Sequence, residues 1–355
     1  MKHHNIAIIG VGAGYFSQFH YDAWQRIPEV TLVGTCDNNL EQARACAQQY
    51  DIPAYTDDLA KFLKEYVKSH PTVKEQPLIL DVITPSGTHL DYVTIAAQYG
   101  LDVICQKPFG ESIEQAKQMI DIAKAANIQL IVHENFRFMP WYRHIKNIIG
   151  HGFIGELLEA QYNLRPGDGQ GDQAYLSRQP YFQKMEKFLI HETGIHFIDT
   201  FRFLFGEVSN VFAKLRRCNS VIQGEDAGIL IFELANNAQA TFNGNRLLDH
   251  GCTNLRRTMG EMLIEGTAGS IYLDGNADIW LRAFGEEKGT QYDYKWNDSN
   301  FGGDCVYEFN SHIVRHYLEE GPLETSAQDY LRNLVIENAV YQSSKEKRVI
   351  EVAGD

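Results

Sequence analysis

Ile6-Ala7-Ile8-Ile9-Gly10-Val11-Gly12-Ala13-Gly14-Tyr15-Phe16-Ser17 is the stretch that decides how this chain is read. An apolar, largely β-branched run makes a strand, alternating glycines make a tight turn, and a helical pattern follows. Two registers of a G-x-G-x-x-G turn fit. One starts at Gly10 and puts Tyr15 third, where close helix–strand packing excludes a ring. The other starts at Gly12 and runs through Gly14 to Ser17, a residue barely larger than alanine. Volume selects the second. Backbone N–H groups in such a turn, and the helix N-terminus behind it, hold a pyrophosphate.

Working outward, the first 135 residues or so alternate between two signals. Apolar runs at 30–36, 78–84, 101–105 and 128–132 are separated by helical stretches at 16–27, 40–50, 59–68, 91–99 and 113–126. Gly100 stands where a helix ends in a left-handed residue, and Ser112 to Gln115 has capping-box spacing. Strands that are apolar on both faces, alternating with helices, imply a doubly wound parallel sheet covered on both sides. Asp37 ends the second run, 23 residues after Gly14, near where a carboxylate takes the ribose hydroxyls. A helix N-cap is its other use, one that Asn38 or Asn39 serves equally well. With neither Arg nor Lys just after Asp37, a 2′-phosphate would meet a bare carboxylate, so NAD is favoured over NADP.

From about Gly155 the pattern changes. Runs at 156–164, 208–217, 228–234, 238–245, 261–265, 270–273 and 277–281 read as strands. Asn236-Asn237 and Gly266-Thr267-Ala268-Gly269 read as turns between them. Several runs alternate apolar and polar residues, which leaves one sheet face solvated or awaiting a partner. Helices return at 190–204, 306–319 and 327–343, and the loopiest stretches are 69–76, 165–173 and 286–303. The sequence therefore predicts a dinucleotide-binding α/β domain over 1–134. Over 135–355 it predicts an α+β domain with a mostly antiparallel, open-faced sheet, assigned to substrate binding and oligomerisation.

Composition narrows the function classes. The 355 residues are 44% hydrophobic and 22% charged, ordinary globular values at a two-domain length. A net charge of −14 repels nucleic acid and anionic lipid. Cys36, Cys46, Cys105, Cys218, Cys252 and Cys305 show no short spacing, which argues against a zinc ribbon or a disulfide framework. Met1-Lys2-His3-His4-Asn5 leads into the first strand with no apolar signal core, and no apolar stretch reaches the roughly 20 residues that span a bilayer. These features predict a soluble cytoplasmic protein with neither nucleic acid nor membrane as partner.

Four motifs occur in order: Gly12-Ala13-Gly14-Tyr15-Phe16-Ser17-Gln18-Phe19-His20, Thr84-Pro85-Ser86-Gly87-Thr88-His89, Gln106-Lys107-Pro108, and Glu192-Thr193-Gly194-Ile195-His196-Phe197-Ile198-Asp199. Together they resemble the glucose–fructose oxidoreductase / inositol dehydrogenase / MocA (Gfo/Idh/MocA) family over essentially the whole chain. The resemblance implies a Rossmann domain, an NAD(P)-dependent dehydrogenase activity on CH–OH groups, and a homodimer or homotetramer built through the second sheet. It places Gly12, Gly14, Tyr15, Phe16, Asp37, Thr84, Pro85, Ser86, His89, Gln106, Lys107 and Asn135 around the cofactor. It makes Lys107 and His196 the catalytic pair beside the substrate carbon, with Glu192. Two positions depart from the family pattern. Gln106 replaces the usual glutamate, and Glu192 stands where many members have aspartate.

The residues support these roles on their own terms. Lys107 ends an apolar strand and precedes Pro108, which biases it toward extended backbone at the strand's carboxyl end, the edge where open α/β sheets bind ligands. An ordinary solvated lysine is the plain alternative. His191-Glu192-Thr193-Gly194-Ile195-His196 superficially matches the zinc motif H-E-x-x-H, but histidines five apart on an α-helix lie about 140° apart around its axis and cannot share a metal. No metal site is expected. Glu192 and His196, four apart, share a helix face, with Asp199 a turn further on. Asn135, in His133-Glu134-Asn135-Phe136-Arg137, either meets the nicotinamide or substrate or merely turns the chain. Arg165, in the glycine-rich 165–172 loop, and Arg178 and Tyr181 after it, offer donors to a hydroxyl-rich substrate or face solvent. His20 reads as structural.

The predicted activity is hydride transfer between a nicotinamide and a sugar, polyol or related hydroxy compound. Two alternatives stand beside it: an enzyme that recycles bound NAD to achieve net epimerisation or glycoside cleavage, and a non-catalytic dinucleotide-sensing regulator. Lys107 and His196 together speak against the regulator, which needs neither.

Overall fold

In a computed structural model, residues 6–70 and 76–352 are described; most of the loop expected at 69–76 falls outside them. The chain forms two compact units, one of Met1–Asn135 with Val306–Leu331, the other of Phe136–Cys305 with Arg332–Asp355. The second unit is thus not the continuous 135–355 read from the sequence. Ile131 bridges Ser326 and Val132 N–H donates to the Thr325 carbonyl at 2.9 Å, so the returning segment covers the open edge of the first sheet. Tyr330 donates to Glu134 at 3.3 Å and meets Phe109 edge-on. No local pattern marks such a return.

The first unit runs β1 (Ile6–Val11), α1 (Ser17–Gln25), β2 (Val30–Cys36), α2 (Leu40–Gln49), β3 (Tyr55–Thr56), α3 (Leu59–Ser69), β4 (Leu78–Val82), α4 (His89–Tyr99), β5 (Asp102–Gln106), α5 (Ile113–Ala126) and β6 (Leu130–His133). Its six strands are parallel in the order β3-β2-β1-β4-β5-β6. The order reverses between β1 and β4, which makes their carboxyl ends a ligand crevice. The local signals are realised: Asn39 caps α2 by accepting from Glu41 and Gln42 N–H, Ser112 caps α5, and Gly100 ends α4 at φ +66°. Two-residue β3 has too short a pattern to be read in sequence.

The second unit opens with α6 (Pro140–Gly150), unpredicted, with Pro140 in its first turn. There follow β7 (Leu157–Leu164), α7 (Ile195–Phe205), β8 (Val208–Arg216), β9 (Ala227–Leu234), β10 (Gln239–Asn245), β11 (Gly260–Gly266), β12 (Gly269–Leu273), β13 (Ile279–Ala283) and β14 (Thr290–Tyr292). The chain then forms α8 (Phe301–Tyr317), which is left-handed at Gly302, Gly303 and Asp304 and belongs to the first unit from Val306 on, α9 (Ala327–Glu346), which belongs to the second unit from Arg332 on, and β15 (Ile350–Glu351). The sheet order is β14-β13-β12-β11-β7-β10-β9-β8-β15, antiparallel except for β7 and β10. Ala160, Tyr162, Leu230, Phe232, Ala240, Phe242, Met262 and Ile264 face the buried side. On the other face the register aligns Phe212, Ile231, Thr241, Gln161, Leu263, Tyr272 and Trp280 in one row across seven strands. Ile229 and Tyr272 are 46% and 37% exposed.

The stretch expected as one helix over 190–204 is two. Leu189–Gly194 forms a π-helical turn and α7 follows it. The wide turn has an external cause. Glu225 Oε1 accepts from Phe188 and Ile190 N–H, both at 3.1 Å, and the Glu225 carbonyl takes Leu189 N–H. Tandem carbonyl and carboxylate acceptors fix the entry of the chain, and such turns concentrate at functional sites.

Candidate active site

At the head of the first sheet, the turn adopts the Gly12, Gly14, Ser17 register. Ser17 is 3% exposed and donates to the Gly14 carbonyl at 2.6 Å. Gly12 sits at φ +116°, and a Cβ there would lie 3.1 Å from the Ile83 carbonyl carbon and 3.3 Å from the Thr84 methyl. Only glycine lets the turns after β1 and β4 approach this closely. Gly10 has a different task, since a Cβ there would overlap the Tyr21 ring. Among the described residues, nothing lies within 4 Å of a Cβ added at Gly14, and no side chain caps α1. Open space before an uncapped helix N-terminus fits a pyrophosphate. Exposed Tyr15 flanks the turn; its ring meets Phe19, as does that of Phe16.

Asp37 closes the turn from the next strand. Its Oδ2 accepts from Ala13 N–H at 2.8 Å and its Oδ1 from Asn39 N–H at 2.9 Å. Asn39 is the cap of α2, so the cap alternative for Asp37 falls away. After β4, Thr88 donates to Thr84 Oγ1 and to the Pro85 carbonyl, which fixes the turn through Thr84, Pro85 and Ser86.

Two residues expected at the cofactor are turned inward. His89 is fully buried and its Nε2 bonds the Thr84 carbonyl at 2.8 Å, so it supports the turn from behind. Burial lowers it to about 4 from the ordinary 6.5. Gln106, 6% exposed, has its amide between the Lys107 N–H and His20. Lys107 follows β5, half-buried, with a cis peptide bond to Pro108. Asn135 is 2% exposed, directly before the turn at Phe136–Phe138.

In the second unit, His196 lies in the first turn of α7, its ring stacked on Phe136 at 3.8 Å with an interplanar angle of 3°. Phe136 in turn packs on Phe197 and Phe301. His191 points elsewhere, its Nδ1 2.6 Å from Glu337. The two histidines diverge. Among the described residues no group of His, Cys, Asp and Glu is arranged to hold a metal ion. Asp199 does not extend the Glu192–His196 face; it is fully buried in a bidentate pair with Arg137, at 2.6 and 2.7 Å, and accepts from Asn333.

Glu192 belongs to a polar cluster that the sequence does not reveal. Arg246, almost fully buried, donates to Asp168 at 2.7 Å, to the Tyr175 hydroxyl at 2.8 Å and to Thr193 Oγ1 at 2.7 Å. Thr193 donates on to Glu192 at 2.7 Å, and Arg246 lies 3.8 Å from that carboxylate. Burial opposes the Arg246 charge, but Asp168 and Glu192 hold the guanidinium above its ordinary value. Rings of Tyr175, Phe182 and Phe188 stack around it. Arg178 reaches Asp168 at 3.4 Å, and Gln179 links Arg178 to Tyr181. Desolvation and the charge of Glu192 raise the Tyr181 phenol. Arg165 stands apart: its Nη1 donates to the Leu164 and Asn243 carbonyls, so it knits strands together instead of offering that group to a ligand. A lone arginine after β10 carried no sequence signal for Arg246; Asp168 lay inside the glycine-rich loop already singled out.

Comparison with known proteins matches residues 4–134 to a family model described as an oxidoreductase family with an NAD-binding Rossmann fold. Residues 142–272 match the Gfo/Idh/MocA C-terminal domain. The chain belongs to the Gfo/Idh/MocA family. A D-apiose dehydrogenase of Paraburkholderia graminis is 28% identical over 351 residues, covering 96% of this chain and 88% of the relative. One from Rhizobium rhizogenes is 26% identical, covering 96% of each. An oxidoreductase structure from Agrobacterium radiobacter, in complex with NAD+, L-tartaric acid and magnesium, superposes with a TM-score of 0.86 at 25% identity, covering 98% of both chains. The protein is an oxidoreductase whose first unit is an NAD-binding Rossmann domain, and the glycine turn with Asp37 fits that cofactor. No helix among the described residues is long and apolar enough to cross a membrane.

Proposed function

We propose that the protein oxidises a hydroxyl-bearing carbon of a sugar, polyol or related compound, with His196 taking the hydroxyl proton and Lys107 supporting the developing charge on oxygen. When bound, the nicotinamide supplies the hydride chemistry. The protein's part is orientation and proton handling. Stacking on Phe136 fixes the plane of the His196 ring, as a proton acceptor at a set position requires. Lys107 places an ammonium at the carboxyl end of β5, where α/β sheets bind ligands. Glu192 is an acceptor for substrate hydroxyls, and Arg178 and Tyr181 are donors. Gly12, Gly14, Tyr15, Phe16, Asp37, Thr84, Pro85, Ser86 and Asn135 serve the cofactor.

The observation that carries this reading is the cluster anchored by buried Arg246, which holds Glu192 in place four residues before His196. Preorganised acceptors next to a fixed proton acceptor suit a polyhydroxylated substrate. Both D-apiose dehydrogenase relatives act in name on such a compound. The first unit binds the dinucleotide, and the second binds substrate and mediates assembly in the cytoplasm. The row Phe212, Ile231, Leu263, Tyr272, Trp280 on the open sheet face supports a homodimer or homotetramer. Light scattering at micromolar concentration is expected to report one of these, and a clean monomer removes the assembly.

A screen of sugars, polyols and their lactones with NAD and NADP, read by absorbance of the reduced nicotinamide, tests the activity. Stoichiometric change with at least one such compound is expected. Conversion of substrate without net change in the nicotinamide would move the protein to the cofactor-recycling class, and no conversion of any of them would contradict the reading.

A further inference from the structure

Gln106, the departure from the family's usual glutamate, occupies a place where hydrogen-bond chemistry leaves no freedom. The Lys107 N–H can only donate, and it meets Gln106 Oε1 at 2.8 Å. The amide oxygen is thereby fixed, and the NH2 group faces His20 Nε2 at 3.0 Å. An amide NH2 only donates, so His20 Nε2 must be bare and the ring proton must sit on Nδ1. There it donates to Asp81 Oδ2 at 2.8 Å, an oxygen that also receives the Trp24 indole N–H at 2.7 Å. His20 and Asp81 are fully buried and Gln106 is 6% exposed, so solvent does not stand in for any of these partners.

We propose that Gln106 is a positioning residue for Lys107, tying its backbone N–H to a neutral His20 whose single ring proton points at Asp81. The proposal rests on the assignment of Lys107 above. Its consequence follows from donor matching. A second proton on His20 would set Nε2–H against the Gln106 NH2; the amide would then rotate and release the Lys107 N–H. A glutamate at 106 would accept from Lys107 and from His20 alike, and would require that second proton. The polar and titratable groups facing His20 are Asp81 from β4, Gln106 from β5 and His133 from β6, whose ring centroid lies 4.0 Å away, and the Phe16 ring meets it edge-on. The residue at 106 therefore sets how many protons the buried relay holds while Lys107 stays in place.

The test uses full-length protein labelled with 15N at histidine, comparing wild type, Gln106→Glu and Lys107→Met. In the wild type His20 should give the signals of a neutral ring protonated at Nδ1, and in Gln106→Glu those of a doubly protonated ring. A wild-type signal of an Nε2-protonated or a charged ring would overturn the proposal on its own, even if the glutamate variant failed to fold. Turnover provides the second readout. The ratio of kcat for Gln106→Glu to that of wild type should fall by roughly tenfold, the equivalent of one hydrogen bond, as pH is raised. KM for NAD should change little. Parallel pH profiles would overturn the proposal. Normal turnover by Lys107→Met would instead overturn the catalytic assignment of Lys107, with the His20 signals still reporting the relay.

Discussion

The glycine turn at residues 12–17 and the π turn at residues 189–194 both present residues of the proposed site, yet they are held in opposite ways. The first is closed by neighbours: Ser17 bonds the Gly14 carbonyl three residues away, and Asp37, 24 positions on, receives Ala13 N–H from the adjoining strand. The second is held from far along the chain. Glu225 receives Phe188 and Ile190 N–H, Tyr341 donates to Glu225 and accepts His191 N–H, and His191 meets Glu337 across 146 positions. Burial, then Glu225 and Glu337, push the Tyr341 phenol upward, which keeps it a donor in this network. A site built on turn chemistry is written in one short stretch and the strand beside it; one built on buried charge needs the whole unit.

The largest test of that contrast is Arg246→Met. It removes the guanidinium that binds Asp168, Tyr175 and Thr193 and leaves a carboxylate partly buried. Breaking a buried pair in this way costs about 3–5 kcal/mol, so urea denaturation should show a loss of that order. A loss below about 1 kcal/mol would mean that the second unit does not depend on this buried charge cluster.

The turns of the first unit have their own buried support in His89, and its test is pH. Burial lowers it from 6.5 to about 4. Between those values the unfolded chain takes up a proton that the folded chain refuses, so stability is full above about 6.5 and falls as pH drops toward 4. The total is about 3 kcal/mol. His89→Gln, which can still donate to the Thr84 carbonyl, should flatten this slope relative to wild type in denaturation at neutral and acid pH. An unchanged slope would show that His89 is not the group responsible.

A smaller effect is expected at Asp37. Its carboxylate should discriminate against a 2′-phosphate, so NAD should bind more tightly than NADP, and Asp37→Ser should narrow the gap by roughly tenfold, the equivalent of one charge-assisted hydrogen bond. Calorimetric titration of both cofactors measures it. Tighter NADP binding by the unmutated chain would break the assignment.

The contrast also explains what was legible in sequence. The Gly12 register followed from side-chain volume, and Gly100 and Ser112 from cap chemistry, because each is settled within a few residues. Which residue caps α2 is settled by the Glu41 and Gln42 N–H groups that Asn39 accepts, while Asp37 holds the glycine turn. The continuous helix expected over 190–204 failed because its first turn obeys Glu225 and not its own periodicity. Arg165, open in sequence to substrate or to solvent, spends Nη1 on the Leu164 and Asn243 carbonyls, since nothing local says which carbonyls an arginine will find. The return of Val306–Leu331 to the first unit was invisible for the same reason: its pairing with Val132 is decided by an open sheet edge far upstream.

The central claim is that Lys107 and His196 handle the proton while the glycine turn holds the cofactor, so the two tasks should separate by mutation. Once a substrate is in hand, stopped-flow measurement of the hydride step in Lys107→Met and His196→Asn tests this most directly. Each change should slow the step by roughly 10²–10⁴-fold, the usual contribution of a positioned acid–base group, with NAD affinity nearly unchanged and the double mutant scarcely worse than the poorer single. A near-normal hydride step in either variant would contradict the account.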